Sequence, residues 1–172
     1  KPVEGDLFTA ETLTAVAKFT EAAWQTPFST RVDSLTNYQH SEADGDDLVV
    51  ANLVDVDAEL DAEALARIKA IALAETLIVD RLISRDGRTT GVNITLMFPQ
   101  ASIAEVPQVM AHIRDLVAKS AAAHPELQFV ISGNTALSNA FAELSQSDME
   151  SLVPLMYGAL LIVMIAFLRS AA

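Results

Sequence analysis

LVPLMYGALLIVMIAFL, residues 152–168, is the stretch that decides how this chain folds. It runs for 17 residues without a charge, and Arg169 ends it. A helix of that length extends about 25 Å at roughly 1.5 Å per residue, which approaches the hydrocarbon thickness of a bilayer. A surface helix of a soluble domain keeps a polar stripe, and this stretch has none. The pattern predicts a transmembrane helix; the alternative is a core helix or a helix in an oligomer interface.

The rest of the chain is long enough to form a domain of its own. We expect an extracytoplasmic domain over residues 1–148 and a truncated transmembrane helix over residues 149–172. The net charge of −12 argues against binding to nucleic acid, whose phosphates an acidic surface repels. It does not identify a partner, because acidity also serves solubility.

The charges beside the apolar stretch predict its orientation. Arg169 follows it, whereas Asp148 and Glu150 precede it. Positive charge favours the cytoplasmic side, so residues 1–148 are expected in the periplasm or its equivalent, with the helix in the inner membrane. Residues 1–6 have no apolar core of a signal peptide, so we expect an export element earlier in a longer protein.

Hydrophobic periodicity predicts helices, and β-rich or alternating runs predict strands. The segment around residues 28–37 is short and mixed, with Val32 and Leu35 pointing inward. Asp86-Gly87 predicts a type I′ hairpin turn. The helices are expected at residues 9–25, 57–75 and 102–124 and from about 135 into the apolar stretch; the strands at 48–56, 92–98 and 127–131; and a polar loop at 38–47.

This order of elements predicts an α+β fold. Helices and strands alternate around one antiparallel hairpin, which suggests a split β-α-β arrangement with helices on one face of a mixed sheet. The long apolar helix follows it. Thr9, Asp61 and Ser102 are expected to cap the first three helices, Ser102 together with Glu105 in capping-box spacing.

The sequence offers nothing for covalent chemistry. Its histidines, His40, His112 and His124, are far apart and cysteine is absent, so we expect no metal site. Residues 44–47 (DGDD) lack the spacing of a calcium loop, and a solvated acidic loop is the simpler interpretation. Glycine-rich phosphate loops and nucleophile elbows are also missing. We therefore expect no enzyme, no catalytic residue and no cofactor.

Three side chains are candidates for contact with an apolar ligand. Phe28 and Tyr38 flank the short irregular segment, and Met97 is on the face of its strand opposite Phe98. Such adaptable side chains handle apolar ligands, although core packing is the simpler explanation for any one of them.

Several strings in one order carry a family resemblance. They are Phe8–Leu13, Val32–Asn37, Leu82–Thr90, Gly133–Leu137, and Asp148 leading to Leu152-Val-Pro-Leu155 and Phe167–Ser170. With these strings the chain resembles the first extracytoplasmic loop, plus most of transmembrane helix 2, of resistance-nodulation-division transporters. Within that superfamily it is similar to the hydrophobe/amphiphile exporters, which include hopanoid- and sterol-lipid carriers.

The resemblance implies a ferredoxin-like porter domain that binds and conducts a lipid-like substrate. Its partners would be the second porter loop and the membrane helices of the same protein, with a periplasmic lipid-binding protein as a further one. Proton flux through acidic residues in later membrane helices would drive export, and those helices lie outside this sequence. Two rivals stay open: a tail-anchored binding or scaffold domain, and a soluble enzyme or sensor whose last helix is buried in a dimer.

Overall fold

The computed structural model describes residues 1–44 and 47–170, which divide into two compact units, Lys1–Val130 and Ile131–Ala172. The structure is mixed α+β and includes a long C-terminal apolar helix, as predicted. Its elements, in chain order, are α1 Ala10–Ala23, β1 Ser29–Asp33, β2 Gln39–Asp44, β3 Asp47–Asn52, α2 Ala62–Ala74, β4 Asn93–Leu96, α3 Glu105–Ala123 and α4 Asn134–Ser170.

The strands form two separate antiparallel ladders. β1 pairs with β4, with Val32 opposite Ile94 and an irregularity in register between Ser29 and Arg31. β2 pairs with β3. The single mixed sheet that we predicted is therefore not present among the described residues: two short antiparallel pairs take its place. A strand pairs only where a second extended segment lies beside it, and sequence periodicity does not report which segments are neighbours.

The N-terminal ends of α1 and α2 follow the capping chemistry in the sequence, whereas the predicted cap of α3 by Ser102 is wrong: its N-cap is Ala104, which makes no side-chain capping bond. The Thr9 side chain accepts a hydrogen bond from the Thr12 backbone N–H, and Asp61 accepts one from Ala64. Each bond satisfies one of the orphan donors of a helix N-terminus. α1 then buries one face, with Leu13 and Ala23 inaccessible to solvent, and contacts α3 and β1.

The core is built by α1, α2 and the irregular segments between the elements. The predicted inward residues Val32 and Leu35 are 1% and 0% exposed. A pair of rings, Phe19 of α1 and Phe129, adds a tilted contact at 5.6 Å between centroids. The largest cluster of buried side chains comprises Leu7, Phe8, Leu13, Leu35, Leu53, Val54, Ile68, Ala72, Ile78, Leu82 and Ile83.

A small polar network fixes the chain before α1. The Asp6 carboxylate accepts hydrogen bonds from the Phe8 backbone N–H at 3.2 Å and from the Lys69 ammonium at 2.6 Å. The same ammonium lies 5.4 Å from the centre of the Phe8 ring. The hydrogen bond from Lys69 lowers the pKa of Asp6. This network joins the segment before α1 to α2.

Two of the predicted secondary-structure assignments are wrong. Residues 39–44 were expected in a loop but form β2; their mostly polar sequence has no apolar alternation, so periodicity did not indicate a strand. Residues 127–131 were expected as a strand, yet Leu127 forms only an isolated bridge with Pro2. Proline has no N–H, which prevents a regular ladder there. The acidic loop expected at residues 44–47 includes two residues that lie outside the described ones.

The Asp86-Gly87 turn is present, but it is not of type I′. Gly87 has φ of +67°, and its N–H donates to the Ser84 carbonyl. Asp86 does not share the positive φ that type I′ requires at both central residues. Its carboxylate instead accepts from the Ser84 hydroxyl and the Arg88 N–H. The following strand leaves this turn and pairs with β1.

α4 is one uninterrupted helix of 37 residues. Pro154 lies inside it without ending it. The 18-residue window that qualifies as a candidate membrane span has a mean hydropathy of 2.4 and is 0% buried. The expected domain border at 148/149 falls within this helix, and it stays a prediction.

Candidate functional site

The start of the β1–β4 ladder brings two of the three predicted ligand-contact residues together. The Met97 backbone N–H donates to the Phe28 carbonyl at 2.9 Å, one step beyond the Ser29–Leu96 pair. The Phe28 ring packs against that of Phe98, with centroids 5.8 Å apart and planes tilted by 52°. Met97 itself is 71% exposed. We call residues 24–29 and 97–100 the Phe28 corner.

Tyr38, the third candidate, packs against the large core cluster. Its carbonyl accepts a hydrogen bond from Leu53 at 2.7 Å. Burial, followed by the charge of Glu75 and a hydrogen bond to it, raises the pKa of the Tyr38 phenol. Tyr38 is therefore held as a half-buried core residue with a polar tip, and we do not include it in the corner.

Phe28 lies in a strained turn. The Ser29 N–H donates to the Thr26 carbonyl at 3.1 Å, which closes a four-residue turn over Pro27 and Phe28. Phe28 has φ of +62°. Proline at the second position and positive φ at the third define a type II turn, whose third position normally holds Gly or Asn. A bulky side chain there costs roughly 1–2 kcal/mol.

The same turn contains two buried hydroxyl groups without partners. Among the residues that the structure describes, Thr26 Oγ1 and Ser29 Oγ are the buried side-chain polar atoms that make no hydrogen bond. Thr26 is only 3% exposed. A buried hydroxyl without a partner costs about 1–3 kcal/mol. Strain and unmet hydrogen bonding are thus concentrated in one turn, a combination typical of functional positions.

A second strained residue lies on the other side of the corner. Gln100 has φ of +60°. Its backbone N–H and those of Ala101 and Ser102 all donate to the carboxylate of Glu105, at 2.7–3.1 Å. Glu105, the first residue of α3, is 7% exposed. Its buried charge is satisfied by these three donors, which hold the loop in its unusual conformation.

The corner is free of charged residues in a strongly acidic chain. Residues 24–30 and 93–104 contain no Asp, Glu, Lys or Arg. Trp24, the single tryptophan, is 46% exposed at the end of α1. With exposed Met97 and the two rings, this arrangement suits contact with an uncharged apolar molecule better than with a charged metabolite.

Sequence reasoning named Phe28 and Met97 as candidates for ligand contact, which stay a prediction, and did not name Thr26, Ser29 or Gln100. The helix predicted at residues 9–25 stops just before Thr26-Pro27, and proline at that place is also typical of the second position of a type II turn. No sequence pattern indicates that a hydroxyl will lack a partner, since that depends on packing. The lack of charged residues at positions 24–30 and 93–104 was the sequence signal that could have indicated this corner.

An open depression of about 520 Å³ lies along α1 and offers a different chemistry. Its lining includes Glu11, Lys18, His124 and Glu126. His124 Nδ1 is 3.0 Å from Glu126 Oε1. A hydrogen bond from its own backbone N–H, with a smaller contribution from His124, lowers the pKa of Glu126. Mixed charges and an open mouth make this depression a solvated surface.

Metal-binding chemistry has no support in the described part of the chain. Within residues 1–44 and 47–170, no three His, Cys, Asp or Glu side chains come together as ligands for a metal ion.

Replacing Thr26 with Val tests whether its hydroxyl is truly without a partner. Thr26→Val keeps the shape of the side chain and removes the unmet polar group, so we expect the free energy of unfolding to rise by about 1 kcal/mol. Urea unfolding of the chain in detergent micelles, followed by Trp24 fluorescence, measures this.

Thr20→Val is the matched control for that measurement. Thr20 is equally buried, but its hydroxyl donates to the Val16 carbonyl at 2.7 Å. Its replacement deletes an existing bond, so no gain is expected. Equal or greater loss of stability in Thr26→Val than in Thr20→Val would show that the Thr26 hydroxyl has a partner.

Comparison with known proteins identifies the family of the chain, and the matched region includes both the apolar helix and the residues before it. Neither the curated proteins nor the solved structures yield a match. The family model described as the MMPL family matches residues 5–172, which is nearly the whole chain and confirms the resemblance drawn from the sequence. The chain belongs to the MMPL family of membrane transporters.

Proposed function

We propose that this chain is the extracytoplasmic domain through which a proton-driven inner-membrane exporter binds and conducts lipids or other hydrophobic amphiphiles. Membership of the MMPL family supports a transporter-related role. The observation that carries the proposal is α4, whose apolar window is fully exposed at a mean hydropathy of 2.4. A helix with that surface needs acyl chains around it, since water solvates it poorly.

The substrate-binding part of the proposal rests on the Phe28 corner. Exposed Met97 and Trp24 and the Phe28–Phe98 pair provide apolar contact, in two segments without a charged residue. Burial of apolar ligand surface contributes roughly 25 cal/mol per Å² before ordering costs are subtracted. Binding of this kind needs no covalent chemistry, so we propose transport without an enzymatic step.

The other parts of the transporter complete the proposed mechanism. The second porter loop and the membrane helices of the same protein would form the rest of the conduction path, and a periplasmic lipid-binding protein would exchange the substrate. Proton-relay residues are proposed for membrane helices outside this chain. Here the chain would contribute the ligand surface and the anchor, α4.

A charge at Met97 is expected to weaken binding of an apolar probe. Met97→Asp should reduce the apparent affinity for bromododecane about tenfold, because a carboxylate would have to be desolvated against the probe. Quenching of Trp24 fluorescence by the probe's terminal bromine measures this, with the chain in lipid nanodiscs.

Leu77→Asp is the matched control, since Leu77 is 63% exposed and lies outside the corner. It should leave quenching unchanged. Equal effects of the two substitutions would remove the corner from the proposal.

Orientation is tested by a single thiol, because the chain has no cysteine. Ser41→Cys places one on the exposed strand β2. A membrane-impermeant maleimide should label it in intact cells whose outer membrane is permeable to the reagent, and equally after lysis. Labelling only after lysis would place this domain in the cytoplasm and contradict the proposal.

A further inference from the structure

We infer that the turn from Thr26 to Ser29 receives an uncharged, hydrogen-bonding headgroup, so that the Phe28 corner selects neutral hydroxyl-bearing amphiphiles over charged ones. This inference deepens the proposed function and rests on it. The apolar part of the ligand would lie on Met97 and the aromatic rings, and its polar end would reach the turn.

The two buried hydroxyls carry this inference. Thr26 Oγ1 and Ser29 Oγ lie at the first and last positions of one turn, and both lack partners. A hydroxyl both donates and accepts, so two of them match a ligand group that does the same, such as an alcohol. A ligand that supplies these bonds removes a penalty that the free protein carries, which favours it over an alkane of the same length.

The surroundings of the turn disfavour a charged headgroup. A buried charge needs a counter-charge or several hydrogen bonds. Two charged residues that border the corner are already engaged: the Arg31 guanidinium pairs with Asp33 at 2.7 Å, and the Glu105 carboxylate accepts three backbone N–H groups. An anion or a cation at the turn would therefore lose its hydration without an equivalent replacement.

The strain at Phe28 supplies a way for the turn to open. Rotation of the peptide between Pro27 and Phe28 converts a type II turn into a type I turn, in which the third residue has negative φ. That change relieves the strain of φ +62° at Phe28. We infer that the ligand stabilises an opened form of this turn, in which its polar end reaches both hydroxyls.

Four brominated probes that share a dodecyl chain test the inference. They are bromododecanol, bromododecane, bromododecylammonium and bromododecyl sulfonate, each with bromine at the end of the chain. Trp24, four residues from Phe28, is the only tryptophan and reports a bromine close to the corner. With the chain in phosphatidylcholine nanodiscs, and after correction for partitioning into lipid, the alcohol should quench at about tenfold lower concentration than the other three.

The double variant Thr26→Val with Ser29→Ala should abolish this preference and bind alcohol and alkane alike. Urea unfolding verifies that the variant is folded. Thr20→Val, which alters a buried hydroxyl with a partner, should keep the tenfold preference.

The alternative outcomes separate the two proposals. If all four probes quench alike in the unmodified chain, or if the double variant keeps the alcohol preference, the headgroup inference fails while apolar binding at the corner stands. If no probe quenches Trp24, both the inference and the substrate-binding part of the proposed function fail.

Discussion

An apolar helix surface that water cannot solvate well is the constraint on which the structure depends. From Leu152 to Leu168, α4 presents 17 uncharged residues, and the structure leaves every one of them exposed. Burial of such a surface is strongly favourable. The described residues do not cover this apolar surface, so we infer that the surrounding medium covers it. The acyl chains of a bilayer would do so along the whole helix.

The Phe28 corner contains local strain and unmet hydrogen bonds, which lower the stability of the folded protein. The corner combines a bulky residue at positive φ, two buried hydroxyls without partners, and a second strained residue, Gln100, held by Glu105. Packing elsewhere in the unit offsets these costs, since Val32 and Leu35 beside the turn are fully buried. Concentrated strain of this kind is expected where a segment changes conformation or meets a ligand.

The helices could be predicted because their signals are local. Thr9 and Asp61 cap α1 and α2 as their positions indicated, and the uncharged run continued α4 through Pro154. The capping box predicted for α3 is wrong, because Ala104 and not Ser102 is the N-cap, although the Glu105 carboxylate does accept the Ser102 N–H. Each of these features depends on residues within one or two turns of helix.

The strands and the site were harder because they depend on distant neighbours. β4 pairs with β1, about sixty residues earlier, rather than with the nearer arm that the Asp86-Gly87 turn suggested. β2 has a mostly polar sequence without apolar alternation, so periodicity could not indicate a strand that is defined by its pairing with β3. Phe28 and Met97 were found as adaptable side chains, whereas the unmet hydroxyl of Thr26 follows only from packing.

A cysteine scan across residues 153–168 tests the central claim most directly. The chain has no other thiol, so each variant reports one position. In native membranes, a water-soluble maleimide should label none of these positions, regardless of the side of the helix on which the cysteine lies. Labelling that rises and falls every three to four residues would show one face buried against protein and the other in water, and would contradict a membrane-spanning α4.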